Sequence, residues 1–230
     1  MLELLNSYRK GEKWIFFCIF ATIIVCHFDA CYSYIYLSMR KFWIWMVKLC
    51  GWKFDIPDLA DRPELRHCVV AVAPHTSIAD FFVGAAVLFA AVVKPRIFIK
   101  KEFFNFVTNP ILKGIGAVPV DRGNRHNNLV QRAVEVLRES DDVCVVITPE
   151  GTRKEVKRFN RGFYEIATRA EVPVALGFMD FKTKRAGYGP TIVPSGDFDA
   201  DVAKMLEFFA PMHAKNPKGW YWAGKLRIEN

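Results

Sequence analysis

The hydrophobic pattern of the chain changes near residue 68. From there on, short β-branched apolar runs alternate with longer stretches in which apolar residues recur every three or four positions. The short runs predict buried strands, and the periodic stretches predict amphipathic helices. The predicted strands cover residues 68–73, 96–100, 117–121, 143–148, 172–178 and 190–193, and the predicted helices cover residues 78–91, 103–113, 127–139, 160–170 and 200–213. This alternation indicates an α/β fold with a mixed, largely parallel sheet flanked by helices.

The N-terminal part of the chain has a different pattern. Residues 14–26 form an apolar run of about thirteen residues, shorter than the roughly 20 residues that a membrane-spanning helix needs. Residues 34–50 place Arg40, Lys41 and Lys48 in one narrow arc of a helical wheel, with aromatic side chains over much of the rest. That pattern is typical of a helix lying in a membrane interface, although a core-packing helix with three solvated charges shares it.

Turn-forming residues separate these two parts of the chain. Gly51 is predicted to end the second N-terminal helix, and Pro57 and Pro63 lie in the polar stretch that follows. We therefore predict N-terminal membrane-associating helices in residues 1–50, a linker in 51–66 and one folded domain in 67–230.

Composition and charge narrow the classes of function. With 230 residues, of which 52% are hydrophobic, the chain can bury a sizeable core, which excludes a disordered protein. The net charge of +8 favours phosphorylated substrates, anionic lipid surfaces or nucleic acid as partners, but no nucleic-acid recognition motif is present. The six cysteines show no C-x-x-C or metal-ligand spacing. We therefore predict reduced thiols, no metal site and a chain that faces the cytoplasm.

The strongest chemical signal follows the first predicted strand of the domain. His75 comes directly after Pro74, which ends the strand, and Ser77 and Asp80 have the spacing of a capping box at the start of the next helix. From the first turn of that helix, the Asp80 carboxylate can accept a ring N–H of His75 and leave the other ring nitrogen as a base. Alone, the same residues also fit a simple helix cap beside a loop histidine.

A second polar motif, residues 148–153, follows the predicted strand 143–148. Gly151 permits a tight turn, while Glu150 and Arg153 place a carboxylate and a guanidinium at the carboxyl end of a strand, where open α/β sheets bind ligands. An arginine there suits phosphate, which it can bind through two parallel hydrogen bonds. By itself this motif is more typical of a surface turn with a local ion pair.

Together the two motifs resemble the glycerolipid acyltransferase family, typified by 1-acyl-glycerol-3-phosphate acyltransferase. The resemblance covers roughly residues 68–180. The matching blocks are the His75-x4-Asp80 motif, residues 116–122 ending in Arg122, the stretch from Thr148 to Arg153, the segment Val172-Pro173-Val174, and Lys100-Lys101-Glu102.

The resemblance implies an enzyme that transfers a fatty acyl group from acyl-CoA or acyl carrier protein to the free hydroxyl of lysophosphatidate. It implies catalysis by His75 and Asp80 without a metal or a bound cofactor. The residues that it assigns to substrate binding are Lys101, Arg122, Glu150, Gly151, Thr152 and Arg153.

The expected partners are the lipid bilayer, a lysophospholipid acceptor and the acyl-thioester donor, with no nucleic acid, at the cytoplasmic face of the cell membrane. Two alternatives stay open at this point. The acceptor could be another lyso-lipid, such as a lyso-amino-acid lipid, or the chain could be a non-catalytic membrane scaffold.

Overall fold

The structure is a computed structural model that describes residues 40–91, 93–105, 108–114, 116–120 and 129–220. The chain divides into two compact units, residues 1–42 and 43–230, and the contacts reported below belong to the second unit. The apolar run at residues 14–26, and most of the N-terminal segment predicted to associate with membrane, lie outside the described residues. Within the ranges given above, no helix combines the length and the apolar character needed to cross a membrane.

Strands and helices alternate through most of the domain. The helices are α1 (residues 40–49), α2 (Ala79–Ala91), α3 (Thr108–Gly114), α4 (Leu129–Arg138), α5 (Gly162–Ala170) and α6 (Phe198–Phe209). The strands are β1 (Lys53–Asp55), β2 (Cys68–Ala73), β3 (Pro95–Lys100), β4 (Ala117–Val120), β5 (Cys144–Ile147), β6 (Val174–Asp180) and β7 (Arg185–Ile192). Short 3-10 helices cover Pro63–Arg66, Lys101–Phe103 and Pro217–Gly219.

In the described part of the chain these strands form one seven-stranded mixed sheet. Their order is β1-β7-β6-β2-β5-β3-β4, and neighbours are parallel except for the antiparallel pair β6 and β7. In register, Val70 of β2 pairs with Val146 of β5 on one side and with Ala175 of β6 on the other. The prediction of a largely parallel α/β sheet flanked by helices is therefore confirmed.

Alternation along β2 divides the core into two layers. Val69, Ala71 and Ala73 pack with buried residues of α4, α5 and α6, whereas Cys68 and Val70 pack with α1 and α2 on the opposite face. Successive side chains of a strand point to opposite faces, so a strand covered on both faces must be apolar throughout. This requirement explains the unbroken apolar run that predicted β2.

The structure departs from the predicted elements at the edges of the sheet. The predicted linker, residues 51–66, contains β1, which pairs with β7, and it buries Leu65 in the core. Strand β1 has only three residues, too few to show a periodicity. Strand β7 spans Arg185–Ile192 rather than 190–193, because Gly187, Gly189 and Pro190 interrupt its apolar pattern without ending the pairing with β6.

The connections create a crevice at the carboxyl ends of β2 and β5. These strands are neighbours, but α2 leaves β2 on one face of the sheet and α5 leaves β5 on the other. In open α/β sheets, ligands bind where the connections diverge in this way. Both polar motifs found in the sequence lie in the loops at this point.

Candidate active site

His75 lies in the loop between β2 and α2. The Ser77 hydroxyl oxygen accepts a hydrogen bond from the Ala79 N–H at 3.1 Å, and the Asp80 carboxylate accepts one from the Ser77 N–H at 2.7 Å. The bond from the Ser77 N–H to Asp80 is one half of the predicted capping box, while the Ser77 hydroxyl accepts from Ala79 instead of from Asp80. These bonds fix Asp80 in the first turn of α2, on the side of the His75 ring.

Asp80 holds the imidazole ring of His75. The His75 Nδ1 atom lies 3.4 Å from Asp80 Oδ2, and the Asp80 side chain is 1% exposed, against 24% for His75. Burial alone would raise the pKa of Asp80, but hydrogen bonds from His75, Ser77 and Thr76 outweigh it and lower that pKa below its usual value. Asp80 is therefore a carboxylate at neutral pH. With Nδ1 held by this carboxylate, Nε2 of His75 is available as a base.

Glu150 is a second buried acid at the same loop. Its two carboxyl oxygens lie 2.9 and 3.2 Å from the backbone nitrogen of His75, which donates to them, and Glu150 is 2% exposed. Burial raises the pKa of Glu150 to about 8, while the His75 N–H lowers it in part and the charge of Asp80 raises it further. Its carboxyl group thus holds the His75 loop, and contact with a substrate stays a prediction.

The loop after β5 is held by a tight turn and by Asn160. Gly151 has a φ of 65°, in the left-handed region, and its N–H donates to the Thr148 carbonyl at 3.0 Å, as the predicted tight turn requires. The Asn160 amide nitrogen donates to the carbonyls of Pro149 at 3.2 Å and Glu150 at 3.1 Å. A β-carbon added at Gly151 would lie 2.6 Å from that amide nitrogen, so the turn has no room for a side chain.

A segment near the C-terminus packs on both loops. The buried Thr76 hydroxyl oxygen accepts a hydrogen bond from the Asn216 N–H at 3.1 Å. Gly219 lies so close that an added β-carbon would be 3.0 Å from the Arg153 carbonyl oxygen and 3.1 Å from Thr76 Cγ2. This segment includes the 3-10 helix Pro217–Gly219, and the tail beyond residue 220 lies outside the described residues.

The other residues assigned to substrate binding follow β3, β4 and β5. Lys101 is exposed and begins the 3-10 helix directly after β3. Arg153 is exposed, and the Thr152 hydroxyl oxygen accepts a hydrogen bond from the Lys154 N–H at 3.3 Å. Arg122 lies outside the described residues. The structure therefore brings the two motifs into contact through Glu150 and His75, and it places Lys101 at the end of the strand next to β5.

An apolar cavity of about 530 Å³ opens at this edge of the sheet. His75, Asp80 and Thr148 lie on its wall at the carboxyl end of the strands. Apolar side chains from both layers of the core line the rest of the cavity. Among these are Val70, Leu88, Ile97, Val146 and Met179. The arrangement joins a base to a long apolar volume.

A second histidine–carboxylate pair lies elsewhere in the same unit. The His213 Nδ1 atom is 3.2 Å from Asp180 Oδ1, and the Asp180 carboxylate also accepts the Thr183 hydroxyl at 2.9 Å and the Lys182 N–H at 3.0 Å. From the sequence, His213 had no carboxylate at an informative spacing, because its partner is 33 residues away. His213 borders a different cavity, of about 720 Å³.

Sequence reasoning missed three residues that support the site, Asn160, Asn216 and Gly219. Asn160 lies ten residues after Glu150 along the chain, and Asn216 lies 140 residues after Thr76. Neither spacing belongs to a local motif. A polar residue at the start of a helical pattern, as at Asn160, was the one available signal, and it is also typical of an ordinary helix cap.

A histidine–carboxylate pair at the carboxyl edge of an α/β sheet, opening on an apolar cavity, has the geometry of a general base that faces a bound substrate. A search of curated proteins finds no match. The Acyltransferase family model matches residues 53–180, which is more than half of the chain and runs from β1 through β6. The chain belongs to the Acyltransferase family, and acyl transfer is its class of reaction.

Proposed function

We propose that the protein transfers a fatty acyl group from acyl-CoA or acyl carrier protein to the free hydroxyl group of lysophosphatidate. The product would be phosphatidate, for phospholipid biosynthesis. The observation that carries the proposal is the position of the His75–Asp80 pair at one end of a long apolar cavity. An acyl chain in that cavity would present its thioester carbonyl to the base.

His75 is the general base in this reaction. Its Nε2 atom takes the proton of the acceptor hydroxyl as that oxygen attacks the thioester carbonyl carbon. When the carbon–sulfur bond breaks, the same nitrogen returns the proton to the departing thiolate, so the ring ends the cycle neutral. The Asp80 carboxylate holds the ring orientation and stabilises the imidazolium while the proton is bound, and no covalent acyl-enzyme forms.

Positive charge in the loop after β5 suits the acceptor phosphate. The stretch of residues 153–158 has four exposed basic side chains and one acidic residue, Glu155. The basic residues are Arg153, Lys154, Lys157 and Arg158. A guanidinium can bind phosphate through two parallel hydrogen bonds, which favours Arg153 as the main contact. Arg122 and Lys101 are proposed to bind the same group from the ends of β4 and β3.

Glu150 supports this mechanism by holding the backbone of the His75 loop. Because both of its carboxyl oxygens are near the His75 N–H, it limits movement of the base relative to the bound thioester. Gly151 and Thr152 form the turn that carries the chain from Glu150 to Arg153. The loops of the base and the phosphate site are therefore joined through one buried side chain.

Exposed apolar side chains near the site suit a membrane surface. Trp45 and Leu49 of α1 and Phe82 near the start of α2 are exposed. Trp43 stacks on Phe82 at 5.4 Å between ring centroids and donates its indole N–H to the Phe82 carbonyl at 2.9 Å, which fixes α1 against α2. Since α2 also carries Asp80, a bilayer at this face would lie beside the site. We place the protein at the cytoplasmic face of the cell membrane.

A panel of acceptors tests the proposal. Vesicles would carry lysophosphatidate, a phosphate-free monoacylglycerol or a lyso-amino-acid lipid, and labelled acyl-CoA and acyl carrier protein would be supplied separately. We expect labelled phosphatidate to be the main product, identified by mass. Faster transfer to the lyso-amino-acid lipid than to lysophosphatidate would contradict the proposed acceptor.

The proposed docking of α1 on a membrane has its own test. The double change Trp45→Ser and Leu49→Ser should weaken vesicle binding and lower activity on acceptor embedded in vesicles, because it removes exposed apolar area from α1. Activity on a short-chain soluble acceptor is the control and should be retained. Equal losses on both acceptors would contradict a membrane-docking role for α1.

A further inference from the structure

A second cavity, of about 720 Å³, lies beside the first turn of α2, and among the described residues it shares no lining residue with the cavity at His75. The buried part of its wall is apolar and includes Val47, Trp52 and Val83. Its volume falls in the range of sites that hold a drug-sized molecule, so a lone phosphate ion would leave most of it empty. A ligand that fills this cavity therefore needs an apolar part.

Exposed lysines give the same cavity a positive charge. Lys182 and Lys184 lie in the turn between β6 and β7, and Lys215 follows α6. None of the three pairs with a carboxylate in the part of the chain that the structure describes. The Lys184 ammonium donates to the Cys50 carbonyl at 2.9 Å, and the Lys215 ammonium lies 5.8 Å from the centre of the Phe181 ring. Since no aspartate or glutamate of the described residues lines the cavity either, its charge is complementary to an anion.

The cavity lies at the same edge of the sheet as the base. Strand β6, which leads into the turn with two lysines, is the parallel neighbour of β2, and Phe178 pairs in register with Ala73. His75 lies two residues beyond Ala73 along the chain. Asp180, the last residue of β6, lies two residues beyond Phe178. Because neighbouring strands are about 4.8 Å apart, the base and the turn after β6 leave the sheet side by side.

The cavity is continuous with the exposed apolar side chains that suit a membrane surface. Phe82 lines the cavity and is 43% exposed. Met46 and Cys50 of α1 also line it, and they directly follow the exposed residues Trp45 and Leu49. Successive positions of a helix are about 100° apart, so one flank of α1 faces the cavity and the next faces solvent. A molecule in a bilayer at this face would come within reach of the cavity.

We infer that this cavity binds a bilayer phospholipid with an anionic head group, with the phosphate among the three lysines and part of an acyl chain on the apolar wall. This lipid is distinct from the acyl acceptor and the thioester donor, which meet at His75. It orients the domain so that the carboxyl edge of the sheet, and with it the base, lies at the bilayer surface. The inference rests on the proposed function only in taking the face of α1 as the membrane face.

Binding of short-chain lipids in solution tests the inference. The probes are dihexanoyl phosphatidylglycerol, dihexanoyl phosphatidylcholine and glycerophosphoglycerol, the anionic head group without its chains. Calorimetry below the micelle-forming concentration gives each affinity. Wild-type protein should bind the anionic lipid about tenfold more tightly than the zwitterionic one, because lysines face its net negative charge. It should also prefer the anionic lipid to the bare head group, which has no apolar part to fill the wall.

A pair of double variants locates the site. Lys182→Gln with Lys215→Gln should weaken binding of the anionic lipid about tenfold to thirtyfold. Lys184 is kept, because its hydrogen bond fixes the end of α1. The control is Lys113→Gln with Arg132→Gln, which removes the same charge from exposed positions of α3 and α4 and should keep the wild-type affinity.

This measurement involves neither turnover nor a membrane, so its outcome is independent of the proposed acyl acceptor. Equal binding of the anionic and zwitterionic lipids, or equal affinity in the two double variants, would overturn the inference. Binding of the bare head group as tight as that of the lipid would reduce the cavity to a phosphate site. Tighter binding of coenzyme A than of the anionic lipid, lost in Lys182→Gln with Lys215→Gln, would also overturn it and assign these lysines to the thioester donor.

Discussion

Two histidine–carboxylate pairs in the described part of the chain are nearly alike in geometry and differ in what surrounds them. The ring nitrogen lies 3.4 Å from the carboxylate in His75–Asp80 and 3.2 Å in His213–Asp180. In the first pair the histidine is 24% exposed and the carboxylate 1% exposed, whereas in the second they are 48% and 10% exposed. Distance between the partners therefore does not distinguish a base from a structural contact.

The surroundings do distinguish them. His75 opens on the apolar cavity and has the buried Glu150 at its backbone, whereas His213 ties the segment after α6 to the turn between β6 and β7. The Phe181 N–H donates to the His213 carbonyl at 2.8 Å, which adds to that structural tie. Both histidines border a cavity, but the cavity at His75 is lined mostly by apolar side chains of the sheet and α2, whereas Lys182, Lys184 and Lys215 line the cavity at His213.

The largest difference in activity between the two pairs is expected when their carboxylates are replaced by neutral amides. Asp80→Asn should lower kcat on the order of 10³- to 10⁴-fold, because an amide no longer stabilises the imidazolium or the required tautomer, as in serine-protease triads. Asp180→Asn is the matched control, since Asp180 also accepts backbone and hydroxyl hydrogen bonds. Steady-state kinetics on lysophosphatidate would compare the two. Similar losses in both variants would remove the distinction between the pairs.

Arginine substitutions test which end of the sheet binds the acceptor. Arg153→Ala should raise KM for lysophosphatidate about tenfold to a hundredfold, the cost of about 1.5 to 3 kcal/mol for a charge-assisted hydrogen bond. KM for the thioester should change little. Arg122→Ala is expected to act in the same way.

The matched control for the arginines is Arg66→Ala. Arg66 precedes β2 at the opposite end of the sheet and lies 3.9 Å from Asp142. Its loss should leave KM for lysophosphatidate unchanged. An equal effect of Arg153→Ala on phosphate-free and phosphate-bearing acceptors would argue against phosphate binding.

Glu150 should make stability depend on pH. Because its pKa is about 8 in the folded protein and 4.5 as the reference value, the folded state binds this proton more tightly than the unfolded chain. Its contribution to the free energy of unfolding is complete below pH 4.5 and is lost as the pH rises through about 8. The full loss is on the order of 5 kcal/mol.

Glu150→Gln should make the free energy of unfolding fall less as the pH rises. The amide stays neutral, and its oxygen can still accept the His75 N–H. Denaturant unfolding at pH values from 4 to 9 measures the effect, with Glu155→Gln in the exposed part of the same loop as control. The same pH dependence in wild-type protein and Glu150→Gln would show that another group is responsible.

The smallest effect is expected at the second pair. His213→Ala should lower the free energy of unfolding by no more than about 1 kcal/mol, because a contact made by a half-exposed histidine contributes little. Chemical denaturation gives this value. A loss of several kcal/mol would mean that the contact is a major element of the fold.

The sequence predicted what depends on neighbouring residues. The bounds of β2 and the bond from the Ser77 N–H to the Asp80 carboxylate involve residues a few positions apart, and the structure agrees with both predictions. The tight turn at Gly151 was likewise readable from a single residue type.

What the sequence did not predict depends on contacts across the fold. The bond from His75 to Glu150 joins residues 75 apart, and the bond from Asn216 to Thr76 joins residues 140 apart. Strand β1 forms because β7 offers a free edge, which no feature of its own three residues indicates. The pairing of His213 with Asp180 has the same cause, since the fold alone brings the two segments together.

One measurement tests the central claim, that His75 is the base of an acyltransferase. His75→Ala and His213→Ala would be assayed side by side for transfer of labelled acyl groups to lysophosphatidate in vesicles, with folding checked by circular dichroism. The account predicts that His75→Ala is folded and makes no detectable phosphatidate, while His213→Ala keeps nearly wild-type turnover. Near-normal turnover in His75→Ala would contradict it.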